Sequence, residues 1–134
     1  MQPSTFSVLI VEDTHVQALQ FKSMLESIGC QVTWVDTGES GVKMANRKPF
    51  DLILLDIELP DISGFEVLER LKNNRDLSNT PMVMLTTHDE ADHVLHGLDL
   101  GAIDYIPKDV FAEVVLRETV RSLLENGNGA GVSV

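Results

Sequence analysis

The sequence predicts a doubly wound α/β fold, a parallel sheet with helices on both faces. Three observations predict it. Three short runs, Val8-Leu-Ile-Val11, Leu52-Ile-Leu-Leu55 and Met82-Val-Met-Leu85, are apolar at successive positions and bounded by polar or turn residues. Strands buried on both faces read this way. Segments of helical period separate them. The 134 residues suit one domain with its own core.

The elements follow in order. After the first strand, Ala18, Phe21, Leu25 and Ile28 form a helical stripe, and Gly29 stands where a helix C-cap belongs. Gln31–Val35 is a second, weaker strand, and Val42 and Ala45 mark a shorter helix. The strand at Leu52 leads through a turn at Pro60 and Gly64 to a helix with Val67, Leu68 and Leu71 inward. The strand at Met82 leads to a fourth helix, with Ala91, Val94, Leu95 and Leu98 at i, i+3, i+4 and i+7, closed by Gly101. A fifth strand over 103–106 precedes a last helix bearing Leu116, Val120, Leu123 and Leu124. Residues 1–6 read as an extension, 7–125 as the domain, and the Gly/Asn-rich 126–134 as a flexible tail. Trp34 and Cys30 read as packing residues, and Asp92, His93 and His96 as a solvated helix face, with a second metal site as the minor alternative.

Composition narrows the function. There are 21 acidic against 10 basic residues, net −11, and the basic ones are scattered. That argues against nucleic-acid binding. The single cysteine excludes a disulfide framework and a multi-cysteine zinc site, and fits a reducing compartment. No apolar run exceeds four residues, and the first residues lack a signal-peptide pattern. No membrane insertion and a cytoplasmic location are expected.

The chemistry sits after the strands. Glu12 and Asp13 follow the first, Asp56 the third, Thr86 and Thr87 the fourth, and Lys108 the fifth. In open α/β sheets ligands bind at the carboxyl ends of the strands, so these groups converge on one edge. Three neighbouring carboxylates repel one another, and a divalent cation with a taste for hard oxygen, Mg²⁺ or Mn²⁺, removes the conflict. A lysine and a threonine hydroxyl beside them can hold a phosphoryl group, and an aspartate can act as its nucleophilic acceptor. No Gly-rich nucleotide loop is present, so the donor is expected on another molecule.

The strand Val8-Leu-Ile-Val-Glu-Asp13, the block from Asp51 through Asp56 and Pro60 to Gly64, the strand end Met84-Leu-Thr86 and the run Gly101-Ala-Ile-Asp-Tyr105-Ile-Pro-Lys108 occur in this order and spacing. Over residues 7–125 the chain resembles the receiver domain of two-component response regulators. The resemblance implies a flavodoxin-like five-stranded sheet in the order 2-1-3-4-5. It implies that Asp56 is the phosphoacceptor, that Asp13 binds Mg²⁺ directly and Glu12 through water, and that the Glu58 backbone carbonyl completes the metal shell. Thr86 and Lys108 would bind the phosphoryl oxygens, and Tyr105 would be an aromatic switch moving with Thr86. The fourth helix, fifth strand and fifth helix would form the output face for a downstream protein, with a homodimer through the same face as a further option. The phosphoryl donor would be a histidine kinase or a histidine phosphotransfer protein.

Departures from the family pattern stand beside it. Thr87 replaces a usually small residue and could narrow the path to Asp56. Glu58 and His88 occupy positions that tune phosphate lifetime: Glu58 could repel the donor or orient water, and His88 could act oppositely at low pH. Asp109 follows Lys108 where proline is usual, so the bond between them is expected either trans with a reshaped loop or cis under strain. The leading reading is a stand-alone response regulator that catalyses only its own phosphorylation and dephosphorylation; a receiver excised from a longer protein fits as well. The alternatives are a phosphorylation-independent interaction module and a Mg²⁺-dependent phosphohydrolase with an aspartyl-phosphate intermediate.

Overall fold

A computed structural model describes residues 5–87, 96 and 98–129. Its elements are β1 (Ser7–Val11), α1 (His15–Ser27), β2 (Gln31–Val35), α2 (Gly38–Arg47), β3 (Leu52–Asp56), α3 (Gly64–Lys72), a 3₁₀ turn (Arg75–Leu77), β4 (Met82–Thr86), β5 (Asp104–Pro107) and the C-terminal helix, α4 (Ala112–Gly129). The five strands are parallel in the order β2-β1-β3-β4-β5, as expected.

Strand alternation divides the core into two layers. Val8, Ile10, Leu52, Leu54, Val83 and Leu85 face one side and pack with Phe21 and Leu25 of α1 and Leu116 and Val120 of α4. Leu9, Val11, Ile53, Leu55, Met82 and Met84 face the other and pack with Ala45 of α2 and Val67, Leu68 and Leu71 of α3. Side chains of successive strand residues point to opposite faces, so a strand covered on both sides must be apolar throughout. Cys30 lies in the first layer, where burial, then the charge of Asp51, pushes its thiol pKa up and keeps it protonated.

Several boundaries move. The fifth strand begins at Asp104 rather than 103: Ile103 is 49% exposed, and the Cα pairing starts with Asp104 opposite Val83. Ile28 is the C-cap of α1 and faces solvent, while Met24 fills the inward position. Gly29 and Gly101 do take left-handed φ, 95° and 109°, which only glycine adopts cheaply. The helix α4 runs past Glu125 to Gly129, because a nucleated helix gains one hydrogen bond for each further residue it fixes. Ala91, Val94, Leu95, Asp92 and His93 lie outside the described residues. His96, Leu98 and Asp99 are helical, and Leu98 is 44% exposed. The His96 ring packs edge-on against Phe65, centroids 4.5 Å apart.

The loop after β3 is tied to α2. Asp61 accepts hydrogen bonds from Gly38 N and Glu39 N, both 2.8 Å, at the N-terminus of α2. Slight burial opposes ionisation, but backbone N–H groups outweigh it and hold the carboxyl below its ordinary value. Asp61→Ala should therefore cost about 1 kcal/mol, read as a lower urea midpoint with an unchanged slope.

Candidate functional site

The strand order reverses at β1, which has β2 on one side and β3 on the other. Ligands of open α/β sheets bind outside such a point. Glu12 and Asp13 leave β1 there, Asp56 ends β3, Thr86 ends β4, and Lys108 follows β5.

Lys108 is the hub. Its ammonium pairs with Asp56 Oδ2 at 3.0 Å and with Glu12 Oε1, and donates to Gln17 Oε1 at 2.7 Å. The Lys108 side chain is 5% exposed. Burial leaves these charges little water, so pairing is what makes them tolerable.

Backbone contacts fix the Glu12 and Asp56 carboxylates. Glu12 N donates to Val35 O (3.1 Å), and Glu12 Oε2 accepts from Thr14 N (3.1 Å) at the entrance to α1. Trp34 Nε1 donates to Glu12 O (2.7 Å). Asp56 Oδ1 accepts from Glu58 N (3.2 Å), and Gly64 N closes the loop onto Ile57 O (2.8 Å).

Glu12, Asp13 and Asp56 each offer a carboxylate oxygen, all within 4.8 Å of one another. Glu12 and Asp56 are buried and Asp13 is exposed. Three carboxylates against one ammonium leave the pocket short of positive charge. Burial, and then the hydrogen bond and charge of Asp56, push the Glu12 pKa up to about 7 against the pull of Lys108. The donor set is all hard oxygen and undersupplied with cation, which fits Mg²⁺ or Mn²⁺ and not a soft metal.

The remaining predicted residues fall around this centre. The Thr86 backbone ends β4 opposite Pro107, but its side chain, like all of His88, lies outside what is described. Thr87 is exposed, and its hydroxyl donates to Glu58 Oε1 at 3.5 Å. Tyr105 is half-buried against the second core layer. The bond from Lys108 to Asp109 is trans, which decides between the two expected alternatives. Asp109 instead opens the last helix: its Oδ1 accepts from Phe111 N (2.8 Å) and its carbonyl from Ala112 N (3.1 Å).

Sequence reasoning missed Gln17 and gave Trp34 only a packing role. The signal for Gln17 was its spacing, four residues after Asp13 and one turn into the helix that leaves the acidic pair. Trp34 could have been found from the strand pairing, which sets it beside Ile10, two residues before Glu12.

The profile of the response regulator receiver domain matches residues 8–121. The chain belongs to this family. Among curated relatives of the receiver, protein PilH of Pseudomonas aeruginosa is 32% identical over 87% of this chain and 96% of its own length. The transcriptional activator protein IrlR of Burkholderia pseudomallei is 40% identical over 90% of this chain, but the receiver spans only 51% of IrlR. A receiver domain protein (CheY-like) from Methanospirillum hungatei superposes with a TM-score of 0.83 at 30% identity, over 93% of this chain and 98% of that one. Receivers serve phosphorelay signalling between histidine kinases and downstream effectors, use Mg²⁺ at an acidic pocket, and are not in general turnover enzymes. No helix among the described residues is long and apolar enough to cross a membrane.

Proposed function

We propose that this receiver accepts a phosphoryl group on Asp56 from a phosphohistidine of a sensor kinase or phosphotransfer protein in the cytoplasm. One observation carries the reading: Asp56 Oδ2 lies 3.0 Å from a buried ammonium, within 4.8 Å of oxygens from Glu12 and Asp13, at the switch point of the sheet. An oxygen of Asp56 attacks phosphorus, the phosphorus–nitrogen bond of the donor breaks, and the imidazole leaves with that electron pair and takes up a proton. Glu12, Asp13, Asp56 and the Glu58 carbonyl would hold Mg²⁺, which when bound neutralises the charge gathering on the transferred group. Lys108 and Thr86 orient the phosphoryl oxygens. Glu58, Thr87 and His88 set how long the acyl phosphate lasts. Tyr105 and the surface around β5 and α4 pass the change to a downstream protein. Residues 7–125 are the working unit, and nearly the whole length of PilH aligns with this chain.

Intact-mass measurement after incubation with a phosphoramidate and Mg²⁺ tests this. One added phosphoryl group is expected, removable by hydroxylamine as an acyl phosphate and absent without Mg²⁺. No adduct under conditions where Mg²⁺ binds would overturn the reading.

The pH dependence of Mg²⁺ binding follows from Glu12. Protons compete with the cation for its carboxylate, so affinity should rise with pH through about 7 and level off above it. Between about pH 6 and about pH 8 the gain should be roughly tenfold, the change in the ionised fraction of one such group. Trp34, the single tryptophan, is bonded to Glu12 and can report the titration by fluorescence. A flat profile would show that Glu12 is already ionised at the lower pH.

A further inference from the structure

We propose that Gln17 is a positioning residue for phosphoryl transfer, holding the Lys108 ammonium in the site by the one acceptor that the chemistry leaves unchanged. The inference rests on the phosphoacceptor reading of Asp56.

An ammonium carries three N–H donors and no acceptor. Here its partners come from three separate parts of the chain: it forms an ion pair with Glu12 Oε1 after β1, and donates hydrogen bonds to Asp56 Oδ2 at the end of β3 and to Gln17 Oε1 in the first turn of α1. Two of the three are carboxylates whose bonding must change. Phosphorylation makes one Asp56 oxygen the bridging atom of an acyl phosphate, a mixed anhydride, and a bound cation would draw on both carboxylates. The amide oxygen of Gln17 keeps its charge and its place throughout. Its 2.7 Å bond is also the shorter of the two that Lys108 makes to Gln17 and Asp56.

The neutrality of the amide matters. A carboxylate at position 17 would draw the ammonium toward itself and weaken its hold on the phosphoryl oxygens. An amide accepts one N–H and leaves the positive charge for the site.

A polar cavity of about 90 Å³ adjoins the Gln17–Lys108 pair, and its lining includes Asp109 and Glu113. Without the Gln17 oxygen, Lys108 has room to swing out of the site toward those carboxylates. Gln17 thus closes a competing orientation and preserves the geometry that transfer requires. Small displacements of a positioned group cost large factors in rate.

The test compares Gln17→Met, which keeps the length and removes the oxygen, with Gln17→Glu, which keeps an oxygen acceptor. Adduct formation from a phosphoramidate with Mg²⁺ is followed by intact mass over a range of donor concentrations. Gln17→Met should lower the rate at saturating donor roughly tenfold, while half-saturating donor and Mg²⁺ affinity stay within about twofold. Gln17→Glu should recover only part of the rate and fall between wild type and Gln17→Met, since its oxygen restores an acceptor while its charge competes with the phosphoryl oxygens for the ammonium. A purely packing role would leave Gln17→Met at the wild-type rate, since methionine fills the same volume. That result, or equal slowing in both variants, would overturn the assignment of Gln17 while leaving Asp56 as acceptor. Absence of any adduct in the wild-type protein would instead overturn the reading beneath it. Urea midpoints of both variants confirm that the comparison is between folded proteins.

Discussion

Asp56→Asn should abolish the phosphoryl adduct and also change how stability depends on pH. The first effect is chemical, since an amide oxygen is a poor nucleophile and the acceptor carboxylate is gone. The second follows from the pocket. Burial is the largest cause of the high Glu12 pKa, and the hydrogen bond and negative charge of Asp56 add to it. Asparagine removes that charge, so the Glu12 pKa should fall from about 7 part of the way toward 4.5.

The sign can be worked out from linkage. A carboxyl whose folded pKa is raised binds its proton more tightly in the native state than in the unfolded one. Its stabilising contribution is fully present below 4.5 and is lost as pH rises through about 7. Metal-free wild-type protein should therefore lose stability across that window. The asparagine variant should lose less and be the more stable of the two above pH 7. Urea unfolding without Mg²⁺ at about pH 5.5 and about pH 8 gives the comparison. Parallel losses in the two proteins would show that Asp56 does not act on Glu12. In wild-type protein, saturating Mg²⁺ should return stability at the higher pH, because a ligand bound only by the native state shifts unfolding by mass action.

This pocket shows how far the residues could be read before the structure. The strands were legible because burial on both faces demands continuous apolar runs, and Leu52-Ile-Leu-Leu55 satisfies that at every position. Topology then carried Glu12, Asp13, Asp56 and Lys108 to one edge with no further information. What the pattern could not show was partner choice. Lys108 lies 91 positions from Gln17, and nothing in either neighbourhood encodes their hydrogen bond. The same holds for Asp61, whose sequence context suggests a loop residue but whose carboxylate holds the start of α2 across 23 positions. Edges such as Ile103 and Ile28 escaped because an apolar side chain at an element's end can face solvent at little cost. Replacement of the usual proline by Asp109 was visible in the sequence, but only the structure gives it a task, as the acceptor that starts α4.

Gly64→Ala should be the most damaging single methyl group that can be added near the site. A Cβ at this position would stand 2.0 Å from the Asp56 carbonyl oxygen and 2.9 Å from Ile57 Cα. Both are backbone atoms, so no side-chain rotation can relieve the contact. The backbone conformation of Gly64 is not the difficulty, since its φ is not among the positive ones. The close approach is. It exists because Gly64 N donates to Ile57 O at 2.8 Å, drawing the start of α3 down onto the end of β3. Any shift that makes room must stretch that bond or displace Asp56 itself. Overpacking against fixed atoms typically costs 1–3 kcal/mol, and contact with backbone belongs at or above the top of that range. We expect a loss of about 3 kcal/mol or more in urea unfolding, accompanied by slower phosphorylation of whatever fraction remains folded. A variant with wild-type stability and rate would mean that the loop after β3 yields easily, and that the position of Asp56 is held by Lys108 and its partners alone.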